Sequence, residues 1–260
     1  MTSVKNGKKT VTTYTISQDI NGNSMTSEIS SAASWNTYIL QDSTGYHSGY
    51  FAFYLAYGSH TITLEAEREP VILKSIELIP ADGQATDVPS YEDVLESYKA
   101  NGYQPATGGD VIRIEAEFPD LVSDASVSAA NDKSNAANYP MSSSSQVFNV
   151  IGKTGYGAVG QWAAYKFSVT KDGLYNLGMR FQQNALQGMF ACRTIKLSGG
   201  SYGLADGTPT APFKEAYNAR FDYSKDWQSN YISDGESDPF LFYFEEGVEY
   251  TLYLECSLGT

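Results

Sequence analysis

Glu115 and Glu117 lie two residues apart in the stretch VIRIEAE, which spans Val111 to Glu117. If that stretch is a strand, period two puts both carboxylates on one face, about 6.5–7 Å apart. Two chemistries suit such a pair. Carboxylates are hard oxygen ligands for calcium. They are also the acid and base of glycosidases, which stand roughly 5–10 Å apart across a cleft. Nothing in the sequence supplies an opposing wall to hold a sugar between them, so catalysis is not expected. A solvated strand face over buried Ile112, Ile114 and Ala116 is the plain structural alternative. Asp120 and Asp124 are nearby candidates of no special strength.

A second set of residues suits sugar recognition. That task needs an aromatic face for stacking and planar side chains for hydroxyl groups. Trp162, Tyr156 and Trp227 are candidate platforms. Arg180, Gln182, Gln183, Asn184 and Arg193 are candidate polar contacts. On a continuous strand Arg180, Gln182 and Asn184 share a face and Gln183 takes the other. Trp in a sandwich also serves as core, and Arg also ties loops by charged hydrogen bonds.

Other chemistries find little support. His47 and His60 have no nucleophile elbow near them. Cys192 and Cys256 are the two cysteines, without a His-rich neighbourhood, so zinc is not expected. They read as buried thiols, with a disulfide left open for an oxidising compartment. The net charge of −13 disfavours nucleic acid as a partner and repels acidic sugars at long range. No apolar run is long enough for a membrane span. The opening MTSVKNGKK is basic but no apolar segment follows it, so any export signal is expected outside this sequence.

The elements that must position these residues are mostly strands. Twenty Tyr and twelve Phe suit a pleated, half-buried surface. TVTTYTIS, HTITLE, VIRIEAE, AAYKFSV, RTIKL and EYTLYLE all alternate apolar and polar residues, as strands with one wet face do. NGN, KDG and SGG mark turns between them. One segment differs. In SYEDVLESYKANG, Tyr91, Val94, Leu95 and Tyr98 fall at helical spacing. Ser90 and Asp93 form a capping-box variant, and Gly102 suits the position after the helix. Pro- and Gly-rich stretches flank this helix, as in a linker. SVSAANDKSNAANYPMSSSS (126–145) is low in complexity and reads as a long surface loop, able to rim a ligand site. NVIGKTGYG (149–157) lacks the strand-to-helix context of a phosphate cradle and reads as an edge loop.

The chain also repeats itself. Trp35 and Asp42 are matched by Trp227 and Asp234, Phe53-Tyr54 by Phe242-Tyr243, and Leu64-Glu65 by Leu254-Glu255. The separation, roughly 190 residues, is that of a duplicated domain rather than a solenoid. The copies are cut differently, so the chain reads as a fragment of a longer protein. The expected organisation is the C-terminal part of a first β-sandwich over 1–84, a helical linker over 85–108, and a second sandwich over 109–260. The second copy lacks an equivalent of VILKSIEL, so it is expected to show an unpaired edge or to borrow a strand.

The order IEAE, then GQWAAYKFSVTKDGLYNLGMR, resembles carbohydrate-binding modules of families 6 and 35 and the wider galactose-binding-like jelly rolls. The chain from about Asp42 onward is similar to the N-terminal accessory region of extracellular solute-binding lipoproteins of sugar ABC importers in Gram-positive bacteria. The residues that carry this are the GQWAAYKF stretch, PFKEAYNARFDYSKDW, SDPFLFYFEEGVEYTLYLECSLG and GYFAFYLAYGSHTITLEAEREP. SGGSYGLADGTPTAPF departs from that pattern by an insertion. The resemblance implies an all-β fold of tandem jelly-roll-like sandwiches, the first partial, joined by the short helical linker. It implies a non-catalytic carbohydrate-associated module at the cell surface, for which Trp162, Arg180, Gln182, Asn184 and Arg193 are the ligand contacts expected from their residue types. It also implies structural calcium at Glu115 and Glu117, and an ABC permease reached through a downstream solute-binding domain. The rival expectations are a spacer without a ligand and the accessory module of a secreted glycoside hydrolase.

Overall fold

The computed structural model describes residues 2–5, 8–11, 17–25, 40, 51–65, 72–79, 88–109, 111–153, 155–185, 187–235 and 238–257. Trp35 and Asp42, which carry part of the repeat, lie outside them, as does His47. The chain is all-β with one short helix. Strands β1 (Thr2–Lys5) and β2 (Lys8–Val11) form a hairpin. Helix α1 (Tyr91–Ala100) follows, then β3 (Leu121–Val122), β4 (Ala129–Ala130) and β5 (Val150–Ile151). The longer strands come next: β6 (Trp162–Ser168), β7 (Gly173–Asn176), β8 (Gly178–Phe181) and β9 (Phe190–Ser198). The last four are β10 (Ala219–Asp222), β11 (Gln228–Tyr231), β12 (Leu241–Phe244) and β13 (Glu249–Cys256).

Two layers enclose the core. One is a five-stranded antiparallel sheet in the order β10-β9-β13-β6-β3, with β13 at its centre. The other is built from β7 and β8, which follow each other closely. β12 pairs antiparallel with β7, and β11 with β8. A bond from Ile232 N–H to the Leu177 carbonyl bridges the two pairings, and the Phe240 N–H donates to the Ile232 carbonyl. Ile195, Leu197 and Tyr250 of the first layer meet Phe242 and Phe244 of the second, so the alternation in RTIKL, EYTLYLE and FLFYF buries one face of each strand. Burial of such large side chains stabilises by about 1.5–3 kcal/mol each.

Helix α1 forms as its sequence directs. Ser90 Oγ accepts from the Asp93 N–H while the Asp93 carboxylate accepts from the Ser90 N–H, so the capping box is complete. At the other end Gly102 takes a φ of 69°, open to glycine without strain. The Gly102 N–H then reaches the Lys99 carbonyl and the Tyr103 N–H the Tyr98 carbonyl, which closes a Schellman motif. That motif sets Tyr103 beside Tyr98, with ring centroids 5.9 Å apart. Residues 104–106 then run parallel to β7, where Ala106 N–H bonds Leu174 O and Leu174 N–H bonds Gln104 O. A Cβ on Gly173 would stand 2.8 Å from the Ala106 backbone, so only glycine lets residues 104–106 approach this closely.

Three expected strands are absent. HTITLE and VILKSIEL hold no strand in the described residues 60–65 and 72–79, and Ile62, Leu64, Ile76 and Leu78 stand exposed. Alternation alone does not make a strand, because the ladder needs a partner, and these segments show none among the described residues. VIRIEAE is likewise irregular. Ile112 and Ile114 still pack inward, but a turn begins at Ala116, and the Tyr165 hydroxyl donates to the Ala116 carbonyl. Among the described residues β12 pairs with β7 alone, so its other edge carries no strand there. Its Leu241, Tyr243 and Glu245 amides donate to the hydroxyls of Tyr91, Tyr202 and Tyr250 rather than to a strand.

Candidate functional site

Met179 and Phe181 of β8 pack against the core. Period two therefore turns Gly178 and Arg180 to the opposite, outer face. The register sets Ser229 opposite Arg180 and Tyr231 opposite Gly178. One step further, the same register sets Trp227 opposite Gln182. The outer face of this layer thus carries Trp227, Arg180 and Tyr231 in a row. The Arg180 guanidinium lies 5.4 Å from the centroid of Trp227. Tyr231 is 63% exposed, and its ring lies against Gly178 with no side chain beneath it. Trp227 and Tyr231 are four residues apart on one extended segment, about 13 Å. Among the described residues no carboxylate pairs with Arg180, in a chain with a net charge of −13. An unneutralised guanidinium between two aromatic rings suits ligand oxygens and apolar ring faces.

The loop 126–145 walls one end of this face. Trp227 Nε1 donates to Ser134 Oγ at 3.2 Å. Arg180 donates through Nε and Nη2 to Asn138 Oδ1 at 3.3 and 3.2 Å. The order in this low-complexity loop comes from buried polar side chains. Asn149 Oδ1 accepts from the Asp132 N–H at 2.8 Å, and its amide nitrogen donates to the carbonyls of Asp132, Asn138 and Pro140. Asp132 Oδ1 accepts from the Ser134 amide and from Asn138 Nδ2, and Lys153 Nζ stands 3.6 Å from Oδ2. Burial works to raise the Asp132 pKa, but the Ser134 hydrogen bonds, the Lys153 charge and Asn138 outweigh it and hold it below the ordinary value.

The remaining expected contacts are dispersed. Gln182 is on the same face as Arg180, and its amide donates to the Lys225 carbonyl at 2.5 Å. Asn184 lies past the end of β8 and is exposed. Trp162 is on the outer face of the other layer, edge-on to Tyr253 at 5.3 Å. Arg193 shares a face with buried Ala191, Ile195 and Leu197. Its guanidinium covers Tyr156 at 4.9 Å and donates to the carbonyls of Cys192 and Tyr156. Arg193 therefore ties the 149–157 loop to β9. The structure gathers Arg180, Gln182 and Trp227, and leaves Trp162 and Arg193 on other surfaces. Strand parity across a closed sandwich separates them. Tyr231, Ser134, Asn138 and Asn149 were not expected. For Tyr231 a signal existed: the period-two reading, continued through WQSNYIS, puts Trp227 and Tyr231 on one face.

The carboxylate pair departs from its expected geometry because VIRIEAE is irregular. Glu115 Oε1 pairs with Arg113 Nε at 2.6 Å near the surface. Glu117 is 4% exposed, and its Oε1 has no hydrogen-bond partner among the described residues. Burial pushes its carboxyl up to about 7, with help from the Glu115 charge and against the effect of Arg113. Calcium takes six to eight oxygens. Among the described residues no three His, Cys, Asp or Glu side chains converge. One unpartnered carboxylate oxygen beside an ion pair does not fit a calcium cage. Both cysteines are free and buried, and burial raises their thiol pKa values. Cys256 is in register with Arg193, so the neighbouring Cys192 faces the other side of the sheet. No helix among the described residues is long and apolar enough to cross a membrane.

No protein-family model matches the chain, and no curated protein matches it. Among solved structures, it is similar to the cycloisomaltooligosaccharide glucanotransferase of Paenibacillus sp. complexed with cycloisomaltoheptaose, at 18% identity and a TM-score of 0.37. The likeness covers 66% of this chain and 22% of that one. The chain thus spans less than a quarter of that structure's length, and at such a TM-score the likeness carries no argument about function.

Proposed function

We propose that this chain is a non-catalytic carbohydrate-associated module that binds a neutral glycan on the outer face of β8 and β11. The observation that carries the reading is the row Trp227, Arg180, Tyr231. It offers two aromatic rings and, between them, a guanidinium that among the described residues has no carboxylate partner. Pyranose rings stack on aromatic faces, and Arg donates to ring and hydroxyl oxygens. The overall negative charge favours neutral over acidic sugars. In the fuller form of the proposal the module belongs to an extracellular, cell-surface solute-binding protein for sugar uptake, which meets an ABC permease through a downstream domain. The sequence resemblance alone supports that setting. No step of this function runs through calcium.

A glycan-array screen of the folded chain, with calcium and with EDTA, tests the reading. Binding to one class of neutral glycan is expected in both buffers. Arg180→Ala and Trp227→Ala should each weaken it roughly tenfold or more while leaving the melting temperature nearly unchanged. Silence of the folded protein in both buffers would instead assign it the role of a spacer.

A further inference from the structure

The insertion SGGSYGLADGTPTAPF builds something of its own. It leaves β9 through Gly199 and Gly200, both with positive φ, and returns where Leu197 and Thr210 exchange two backbone hydrogen bonds. A Cβ on Gly200 would stand 2.8 Å from the Tyr250 ring, so the loop turns this tightly only with glycine. Between the loop and helix α1 opens a cleft of about 430 Å³. Val94, Ser97, Tyr98 and Asn101 line it from the helix, at spacings that share one helical face. Tyr202, Leu204 and Thr210 line it from the insertion.

The remaining wall comes from a pair of stacked rings. Tyr103 and Tyr243 lie 3.6 Å apart and parallel within 6°. Each gives one face to the other. Tyr243 is opposite Leu174 in the ladder, on the outer side of its layer, and Tyr103 is delivered by the Schellman motif that ends α1. Hydrogen bonds hold the walls in place. Tyr202 Oη accepts from the Tyr243 N–H at 3.0 Å and lies 3.3 Å from Tyr98 Oη. Asn101 donates its amide to Ser97 O and Oγ, and its own carbonyl oxygen accepts no hydrogen bond among the described residues. No residue that lines the cleft is charged.

These features select a ligand class. An uncharged lining offers nothing to a phosphate, a carboxylate or an ammonium group. Rigid aromatic rings beside hydroxyl and amide groups suit a molecule with an apolar face and many hydroxyls. Pre-set side chains lower the entropic cost of binding such a molecule. We propose that the cleft between α1 and the 199–212 loop binds a neutral pyranose unit, separately from the outer face of β8 and β11. Tyr103 and Tyr243 serve as the stacking wall, and Ser97, Tyr98 and Asn101 supply the hydroxyl contacts.

The test is saturation-transfer NMR and calorimetric titration of the full chain with maltose, cellobiose, xylobiose and mannobiose. Ser97→Trp fills the cleft from an exposed helix position, and Tyr103→Ala removes the stacking wall. Trp227→Ala disables the outer face of β8 and β11 and touches no residue that lines the cleft. In the Trp227→Ala background, which disables the outer face, binding of at least one disaccharide is expected to remain, and adding Ser97→Trp or Tyr103→Ala should weaken it roughly tenfold or more. The proposal is overturned if no disaccharide binds, or if both cleft variants bind as the parent does. Binding lost in Trp227→Ala alone would keep the outer-face reading and remove this one. Should Ser97→Trp fail to fold, Asn101→Ala replaces it and must reduce affinity at least about threefold.

Discussion

The Tyr91 hydroxyl stands 2.8 Å from the Leu241 N–H and thereby closes the first rung of a sheet edge that has no strand beside it among the described residues. The same oxygen reaches the Pro239 carbonyl at 3.2 Å, so it accepts on one side and donates on the other. Tyr202 and Tyr250 do the same for the next two outward amides of this segment. Edge amides left bare attract foreign strands. Three tyrosines from three parts of the chain cover them here.

Tyr91→Phe keeps the packing on Phe213 and Phe240 but strips both hydrogen bonds. It should cost about 1–3 kcal/mol, the usual penalty for an unsatisfied, partly buried group. Urea denaturation followed by fluorescence measures this. An unchanged midpoint would mean that water replaces the hydroxyl without loss.

Asn149 holds the rim of the candidate binding face through four hydrogen bonds to three different residues. Asn149→Ala should destabilise the chain by about 2–4 kcal/mol, because several buried backbone groups lose their partner together. It should also free Asn138 from its position against Arg180 and weaken glycan binding. Hydrogen exchange over residues 130–145 is expected to accelerate in the variant. Protection equal to the parent's would show that the loop is ordered by other means.

Glu117 makes stability depend on pH. Its folded pKa of about 7 exceeds the ordinary 4.5, so the folded state holds a proton that the unfolded state has released between those values. Stability therefore falls as pH rises from about 4.5 through 7, by on the order of 3 kcal/mol in all. Glu117→Gln should be close to the parent at pH 4.5 and more stable at pH 8. Thermal melts across pH 4–8.5 check this, and a flat parent profile would contradict it. Calcium added at pH 8 should leave the parent's melting temperature unchanged. A rise that Glu117→Gln abolishes would make the carboxylate a metal ligand after all.

Local features were legible where the forces that make them are local. The box Ser90–Asp93 and the stop at Gly102 bound α1 because capping and left-handed backbone need only adjacent residues. The period-two runs of β6, β9 and β13 were legible because a half-buried strand records its buried face in its own pattern. HTITLE carries the same pattern without a strand, since pairing depends on a partner that alternation does not specify.

The sites divide along the same line. Sequence by itself determined the all-β class, the one short helix and the shared face of Arg180 and Gln182, all consequences of backbone period. Only the tertiary structure decided that Trp227 and Tyr231 join that face while Trp162 and Arg193 do not. It alone brought Tyr103 onto Tyr243, 140 positions away in the chain, and an insertion loop against α1. Those contacts follow from which strands pair and how two layers close over one core. That outcome belongs to the whole chain's burial of apolar surface, and no single stretch of residues encodes it.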